Sequence, residues 1–249
     1  MEETRLRFSG LEWFPTPEKK IDIHIGGAGG IGSWTAFFLA RIGYNVVIYD
    51  VDTVETHNLS GQLFSIDDIG RRKVAAVNAL ISRFCDSSLT TYSSFIQDHT
   101  ILNPYMISAF DNMEARKAML EKFENYIRVR ENLISQIMDS EGGIVPEDKY
   151  CISDVPLFID GRMEAEQIQI FCVTPDRIER YKETLFEDSS VEDAPCSFKQ
   201  TSHTASMMGS LITTLFTNHI TNLKLGEKIR EVPFRTDFYS PFMNLEIQE

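Results

Sequence analysis

Basic residues are scarce relative to acidic ones: 24 Lys and Arg stand against 37 Asp and Glu in 249 residues, a net charge of −13. A surface of that sign repels a phosphodiester backbone, so broad nucleic-acid binding is not expected. Cysteine is sparse as well. Cys85, Cys151, Cys172 and Cys196 are widely spaced, with no C-x-x-C pair. That argues against a structural zinc and for free thiols in a reducing, cytoplasmic compartment. No apolar run approaches the length needed to cross a bilayer, and the opening MEETRLRFSG lacks the pattern of a signal peptide. Repeats and low-complexity tracts are missing, as in an ordinary globular protein. No Gly/Pro-rich linker divides the chain, so residues 1–249 read as one domain, long enough to bury a core without staples.

What is present begins with Ile21–Ile25, which alternates like a strand and runs into Gly26-Gly-Ala-Gly-Gly-Ile-Gly32. Ser33 to Arg41 is apolar enough for a buried helix that Gly43 stops. Asn45–Tyr49 is a continuous apolar run, as a central parallel strand should be. Together these make a βαβ unit, whose crossover is right-handed. Asp68 to Phe84 reads as a second helix, with Leu89–Phe95 and Met106–Phe110 as further strands. A charged helical stretch covers Asn112 to Ile137, and residues 139–149 form a polar loop. Leu157–Ile159 and Gln167–Val173 are expected to pair antiparallel about a turn at Asp160-Gly161. Thr204 to Ile220 is an apolar helix, and Val232 to Ile247 alternates like a terminal hairpin. The class is therefore α/β: a Rossmann-like, mostly parallel sheet flanked by helices, with antiparallel strands in the C-terminal half.

The glycines fall where a phosphate-binding turn belongs, between a strand and a helix N-terminus. Without Cβ atoms, Gly27, Gly29, Gly30 and Gly32 let the backbone approach phosphate oxygens, and the orphan N–H groups and helix dipole favour the anion. Asp50, ending the second strand, stands where an acidic side chain takes a ribose hydroxyl. Alone, these features fit an NAD or FAD enzyme equally well.

The residues that follow separate the readings. Asp50-x-Asp52-x-Val54-Glu55-x-x-Asn58-Leu59-x-x-Gln62 runs on directly, then Gly70-x-x-Lys73, then Phe110-Asp111-Asn112 after the next strand. In this order the chain resembles the ThiF-like family, the superfamily of ubiquitin-activating enzymes and of bacterial sulfur-carrier activators. The match covers residues 21 to about 117 and is weaker through Asp160–Phe171 and Pro195–Leu211. The resemblance implies Mg-ATP-dependent adenylation of a C-terminal carboxylate on a small ubiquitin-like or sulfur-carrier protein, or on a peptide. It implies Gly29 and Gly30 at the phosphates, Asp50 at the ribose with Asp52 beside it, Asn58, Gln62 and Lys73 at the triphosphate, and Asp111 holding Mg²⁺. One carboxylate suffices for Mg²⁺, which keeps much of its water. Homodimerisation is implied too.

The chain departs from the family at one position. The arginine of the family's N-L-x-R-Q motif is Gly61 here, which removes a bidentate contact to phosphate. Arg71, Arg72 or Arg162 is the expected substitute, with Arg162 preferred; otherwise the chain is a non-catalytic partner subunit. Cys196 precedes the last apolar helix, with Lys199 and His203 following, and resembles the cysteine that accepts the activated carboxylate as a thioester in some members. Residues 118–156 exceed the family minimum and are expected as a helical insertion, and residues 230–249 as a hairpin. A tRNA-modifying dehydratase is disfavoured by the acidic balance, and an oxidoreductase by the lack of hydride-handling residues.

Overall fold

Side-chain periodicity builds one mixed sheet in the computed structural model, which describes residues 21–85, 88–139, 155–186 and 201–249. In chain order the helices and strands are β1 (Asp22–Gly26), α1 (Gly30–Ile42), β2 (Asn45–Tyr49), α2 (Lys73–Phe84), β3 (Thr90–Tyr92) and β4 (Tyr105–Ser108). They continue with α3 (Met113–Asp139), β5 (Leu157–Glu164), β6 (Gln167–Val173), α4 (Ile178–Lys182), α5 (Ser202–Leu225), β7 (Arg235–Tyr239) and β8 (Asn244–Gln248). The strand order is β3-β2-β1-β4-β5-β6-β7-β8. Strands β1 to β5 pair in parallel and β5 to β8 antiparallel. The expected α/β class, parallel first and antiparallel towards the C-terminus, therefore holds.

Alternation along each strand sends side chains to two cores. Ile23, Ile25, Ile107 and Ile159 face α1, α2 and α5, while Met106, Phe158 and Phe171 face α3 and α4. Phe123, Phe158 and Phe171 are completely buried, and each such ring stabilises the fold by roughly 1.5–3 kcal/mol. Along α3 the inward stripe runs Met113, Arg116, Leu120, Phe123, Ile127, the helical i, i+3, i+4 spacing with one arginine among apolar residues. No described helix is long and apolar enough to cross a membrane.

Among the boundaries that differ from expectation, three have a clear local physical reason. α1 starts at Gly30, not Ser33, because the Ser33 amide already donates to the Gly29 carbonyl at 3.0 Å. The helix expected from Asp68 starts at Lys73. Ser65–Asp68 closes a capped 3-10 turn and Gly70 adopts φ +84°, which a right-handed helix does not admit. The β5–β6 turn lies at Ala165-Glu166, not at Asp160-Gly161, which instead stays within β5 opposite Phe171 and Ile170. The Asp-Gly pair imitates a turn signal, but Asp160 is fully buried against arginines, and a Cβ at Gly161 would meet the Met208 side chain at 2.7 Å. Residues 140–154, which hold most of the polar loop at 139–149 and part of the expected 118–156 insertion, lie outside the described residues.

The strand order reverses between β1 and β4: β2 and β3 extend to one side of β1, β4 and β5 to the other. In an open α/β sheet the crevice beyond the strand ends at such a reversal receives ligands. Here it is bounded by the glycine turn after β1 and by Ala109–Asn112 after β4.

Candidate functional site at the carboxyl edge of the sheet

The glycine turn is shaped by contact. Gly27 adopts φ +92°, its amide donates to the Tyr49 carbonyl at 2.8 Å, and a Cβ there would stand 2.7 Å from the Ala109 carbonyl oxygen. A Cβ at Gly32 would overlap the Gly27 carbonyl oxygen. Gly29 differs: its Cβ would find only the Gln62 carboxamide, 3.9 Å away. The turn is thus closed beneath Gly27 and Gly32 and open above Gly29, where α1 begins. The first amides of a helix lack intrahelical acceptors and carry the positive dipole end. An end of this kind can receive an anion.

Asp50 is fixed beside it. Its Oδ2 accepts the Ala28 amide at 2.7 Å and its Oδ1 the Asp52 amide at 2.7 Å. Burial raises its pKa above the usual carboxylate range, and the positive charge of Lys73 and the two amides oppose that rise. Lys73, itself buried, donates from Nζ to Asp52 Oδ2 at 2.8 Å, while the Asp52 side chain is 59 % exposed. The cation therefore reaches the edge from below, next to Asp50.

Between Asp52 and α2, the segment Thr56–Ser60 is a 3-10 turn. Asn58 is buried and its Oδ1 accepts the Glu55 amide at 2.8 Å, so that oxygen shapes the loop. Gln62 lies over Gly29, with Oε1 buried and lacking a hydrogen-bond partner. An orphaned polar group of this kind costs free energy unless a ligand meets it. Two consecutive α1 residues clamp this loop: Ser33 Oγ accepts the Leu63 amide at 3.1 Å, and Trp34 Nε1 donates to the Gly61 carbonyl at 3.3 Å. Neither residue was singled out from sequence.

Across the crevice, Asp111 is exposed and accepts Asn112 Nδ2 at 3.2 Å, while Asn112 Oδ1 accepts the Ala115 amide at 2.8 Å and so caps α3. Groups of three or more His, Cys, Asp and Glu that could hold a metal are missing among the described residues. A lone exposed carboxylate fits Mg²⁺, which is completed by water and phosphate oxygens, and does not fit a structural zinc.

Arg162, preferred from sequence as the substitute cation, is committed elsewhere. Its Nε donates to Asp160 Oδ2 at 2.7 Å, its Nη1 and Nη2 to the Thr184 carbonyl and hydroxyl at 3.0 Å, and its guanidinium stacks 4.5 Å from the Phe171 ring centre. A guanidinium so held braces β5; it is no spare cation for a triphosphate. Arg71 pairs with Asp68 at 2.6 Å, and Arg72 donates to the Val51 carbonyl between Asp50 and Asp52. Of the three candidates, Arg72 is the one beside the glycine turn. Cys196 and Lys199 lie outside the described residues. His203 faces Thr201, the residue that caps α5.

Sequence reading also missed Arg116. It is buried and donates to Asp160, to the Gly161 carbonyl at 2.8 Å and to the Phe110 carbonyl. Burial alone would raise the Asp160 pKa, but the Arg116 and Arg162 guanidiniums reverse this and hold it below the usual range. The signal was an arginine on the apolar stripe of a helix.

Comparisons with known proteins bear on the family and the fold. A sequence profile of the ThiF family matches residues 18–241. The ubiquitin-like modifier-activating enzyme 5 of Culex quinquefasciatus is 30 % identical over 157 residues, which span 52 % of this chain and 38 % of that protein. The enzyme of the same name from Oryza sativa subsp. japonica is 41 % identical over 73 residues, 28 % of this chain and 17 % of the relative. The chain thus spans well under half the length of these relatives. Among solved structures, PaaA superposes with a TM-score of 0.60 at 15 % identity over 92 % of this chain and 64 % of that one. E. coli MccB with ATP gives 0.60 at 15 % identity over 93 % and 64 %.

Proposed function

The chain belongs to the ThiF family, and on that premise we propose that it uses Mg-ATP to adenylate the C-terminal carboxylate of a small ubiquitin-like or sulfur-carrier protein, or of a peptide. The observation that carries the reading is the meeting of three segments at the sheet's reversal: the open glycine above which Gln62 is orphaned, Asp50 with Lys73, and Asp111 across the crevice. The named relatives act on ubiquitin-like modifiers, and MccB has been crystallised with AMPCPP and MccA, which supports a protein or peptide acyl substrate.

In this reading the α1 amides and Gln62 bind the triphosphate, and Asp50 accepts a ribose hydroxyl. A carboxylate oxygen attacks the α-phosphorus, the bond to the bridging oxygen breaks, and pyrophosphate leaves with the electron pair, giving an acyl-adenylate. Negative charge grows on the phosphoryl and leaving oxygens, which Lys73 and Arg72 would stabilise and where positioning counts most. Asp111 would hold Mg²⁺, which when bound neutralises phosphate charge. Thioester transfer to Cys196 and homodimerisation belong to the same proposal.

ATP–pyrophosphate exchange with a carrier protein ending in Gly-Gly tests the reading. Exchange that requires the carrier and is lost in Lys73→Ala supports it; no exchange, together with no heat on titrating Mg-ATP, refutes it. Gly61 favours one second reading, a non-catalytic partner subunit, which predicts exchange only when an active companion is added.

A further inference from the structure

The short link between β4 and α3 is gripped from two sides. On one, the Ala109 amide donates to the Gly26 carbonyl at 2.8 Å, the Ala109 carbonyl packs on Gly27, and a Cβ at Gly26 would overlap the Phe110 ring. On the other, the Arg116 guanidinium reaches back from α3 to the Phe110 carbonyl while its other nitrogen donates to Asp160 and to the Gly161 carbonyl. The next residue, Asp111, is exposed, and the one after it caps α3. Its backbone is therefore pinned at both neighbours while its carboxylate stands in solvent. Charge balance does not require this arrangement, because Asp160 already pairs with Arg162 at 2.7 Å. What Arg116 adds beyond that pair is a hold on the peptide that carries Asp111.

We propose that Arg116 is a positioning residue that fixes the Asp111 carboxylate, through the Phe110 carbonyl, where a divalent cation meets the nucleotide phosphates. The inference rests on the reading of Asp111 as the metal-holding acid. A planar guanidinium spans three acceptors that a single ammonium does not. Arg116→Lys therefore keeps the charge and releases the link, and Asp160 retains Arg162 as counter-ion.

The test is Mn²⁺ binding to the ATP-loaded protein, followed by electron paramagnetic resonance, beside ATP binding without metal and thermal denaturation. In Arg116→Lys the Mn²⁺ dissociation constant rises at least fivefold while metal-free ATP affinity stays within twofold. In an Asp111→Asn background the same change adds nothing further, as expected when one residue acts through the other. If Arg116→Lys lowers the melting temperature but binds Mn²⁺ as wild type does, while Asp111→Asn binds it more weakly, Arg116 is a staple and the inference is wrong. If Asp111→Asn binds Mn²⁺ normally, or the wild type binds no Mn²⁺ with ATP, the metal reading of Asp111 fails and takes the inference with it. Should Arg116→Lys not fold, Arg116→Gln is read against the same outcomes.

Discussion

Two alanine substitutions three residues apart separate the fold of the phosphate turn from its ligand. At Gly32 a new Cβ would overlap the Gly27 carbonyl oxygen and stand 2.9 Å from its carbon, where ordinary contact begins near 3.4 Å. The obstacle is backbone within the same turn and cannot swing aside. Overpacking of this kind costs about 3 kcal/mol, which lowers the melting temperature of a domain this size by about 6–12 °C. At Gly29 the Cβ meets only Gln62, at 3.9 Å, and φ is −76°, so the fold tolerates it; a weaker N-cap costs under about 1 kcal/mol. That methyl would still occupy the open floor of the cradle and hold a phosphate off the first α1 amides. One charge-assisted bond lost is about 1.5–3 kcal/mol, a ten- to hundredfold weaker Kd for ATP. Differential scanning fluorimetry and calorimetric ATP titration on both variants decide the matter. Gly32→Ala melting with wild type would refute the turn geometry, and Gly29→Ala binding ATP normally would remove the phosphates from this cradle.

Asp160→Asn leaves the buried Arg116 and the half-buried Arg162 guanidiniums facing a neutral amide, and breaking a buried pair costs about 3–5 kcal/mol; denaturant melts at pH 7 losing less than about 1 kcal/mol would contradict the assignment. Because the folded-state pKa of Asp160 is depressed, its stabilisation is present above the unfolded value near 4 and is lost as pH falls below it. Melts between pH 7 and pH 3 should therefore show an acid limb that Asp160→Asn flattens. Lys73→Ala should cut pyrophosphate exchange by about 10²–10³; a loss under threefold would count against Lys73. The same variant removes the charge that opposes the upward shift of Asp50, so the acid limb of ATP binding should move to higher pH. Gly61→Arg restores the family's cation at a backbone geometry of φ −129° and ψ −25° open to any residue. We expect exchange to change less than threefold, and a tenfold gain would mean that Lys73 and Arg72 do not carry the charge.

Much of the candidate edge is legible in the sequence because it is local. A strand, a glycine turn, a buried helix and a second strand ending in an acid succeed one another within 29 residues, from Asp22 to Asp50, and each announces itself by periodicity or by backbone demand. What escaped was set by distance in sequence. Arg116 and Asp160 are 44 residues apart, and nothing near either says that a helix arginine will meet a strand aspartate. The Asp160-Gly161 dipeptide was misread as a turn for the same reason: its local signal is a turn's, and the burial that overrides it comes from α3 and α5. Asn58 lay between these cases. Its place in the motif was visible, but only the fold shows its Oδ1 closing the Glu55 turn, which makes it a shaper of the loop that carries Gln62.

The missing arginine changes how the edge must work. A site with a bidentate guanidinium at position 61 can stabilise a pyrophosphate leaving group with one side chain. This one presents Lys73, tied to Asp52 at 2.8 Å, and Arg72, held on the Val51 carbonyl, both close to Asp50. The loop keeps its position-61 carbonyl on Trp34 and seats Gln62 over Gly29. In the proposed function the positive potential then rests on fixed elements: α1 amides, the helix dipole and a buried lysine. Fixed donors need no reorganisation as charge develops, so they stabilise a transition state more than their ground-state contacts suggest. On that argument the substitution need not disable catalysis, but it raises the demand on everything that holds these elements still, the Arg116 brace included.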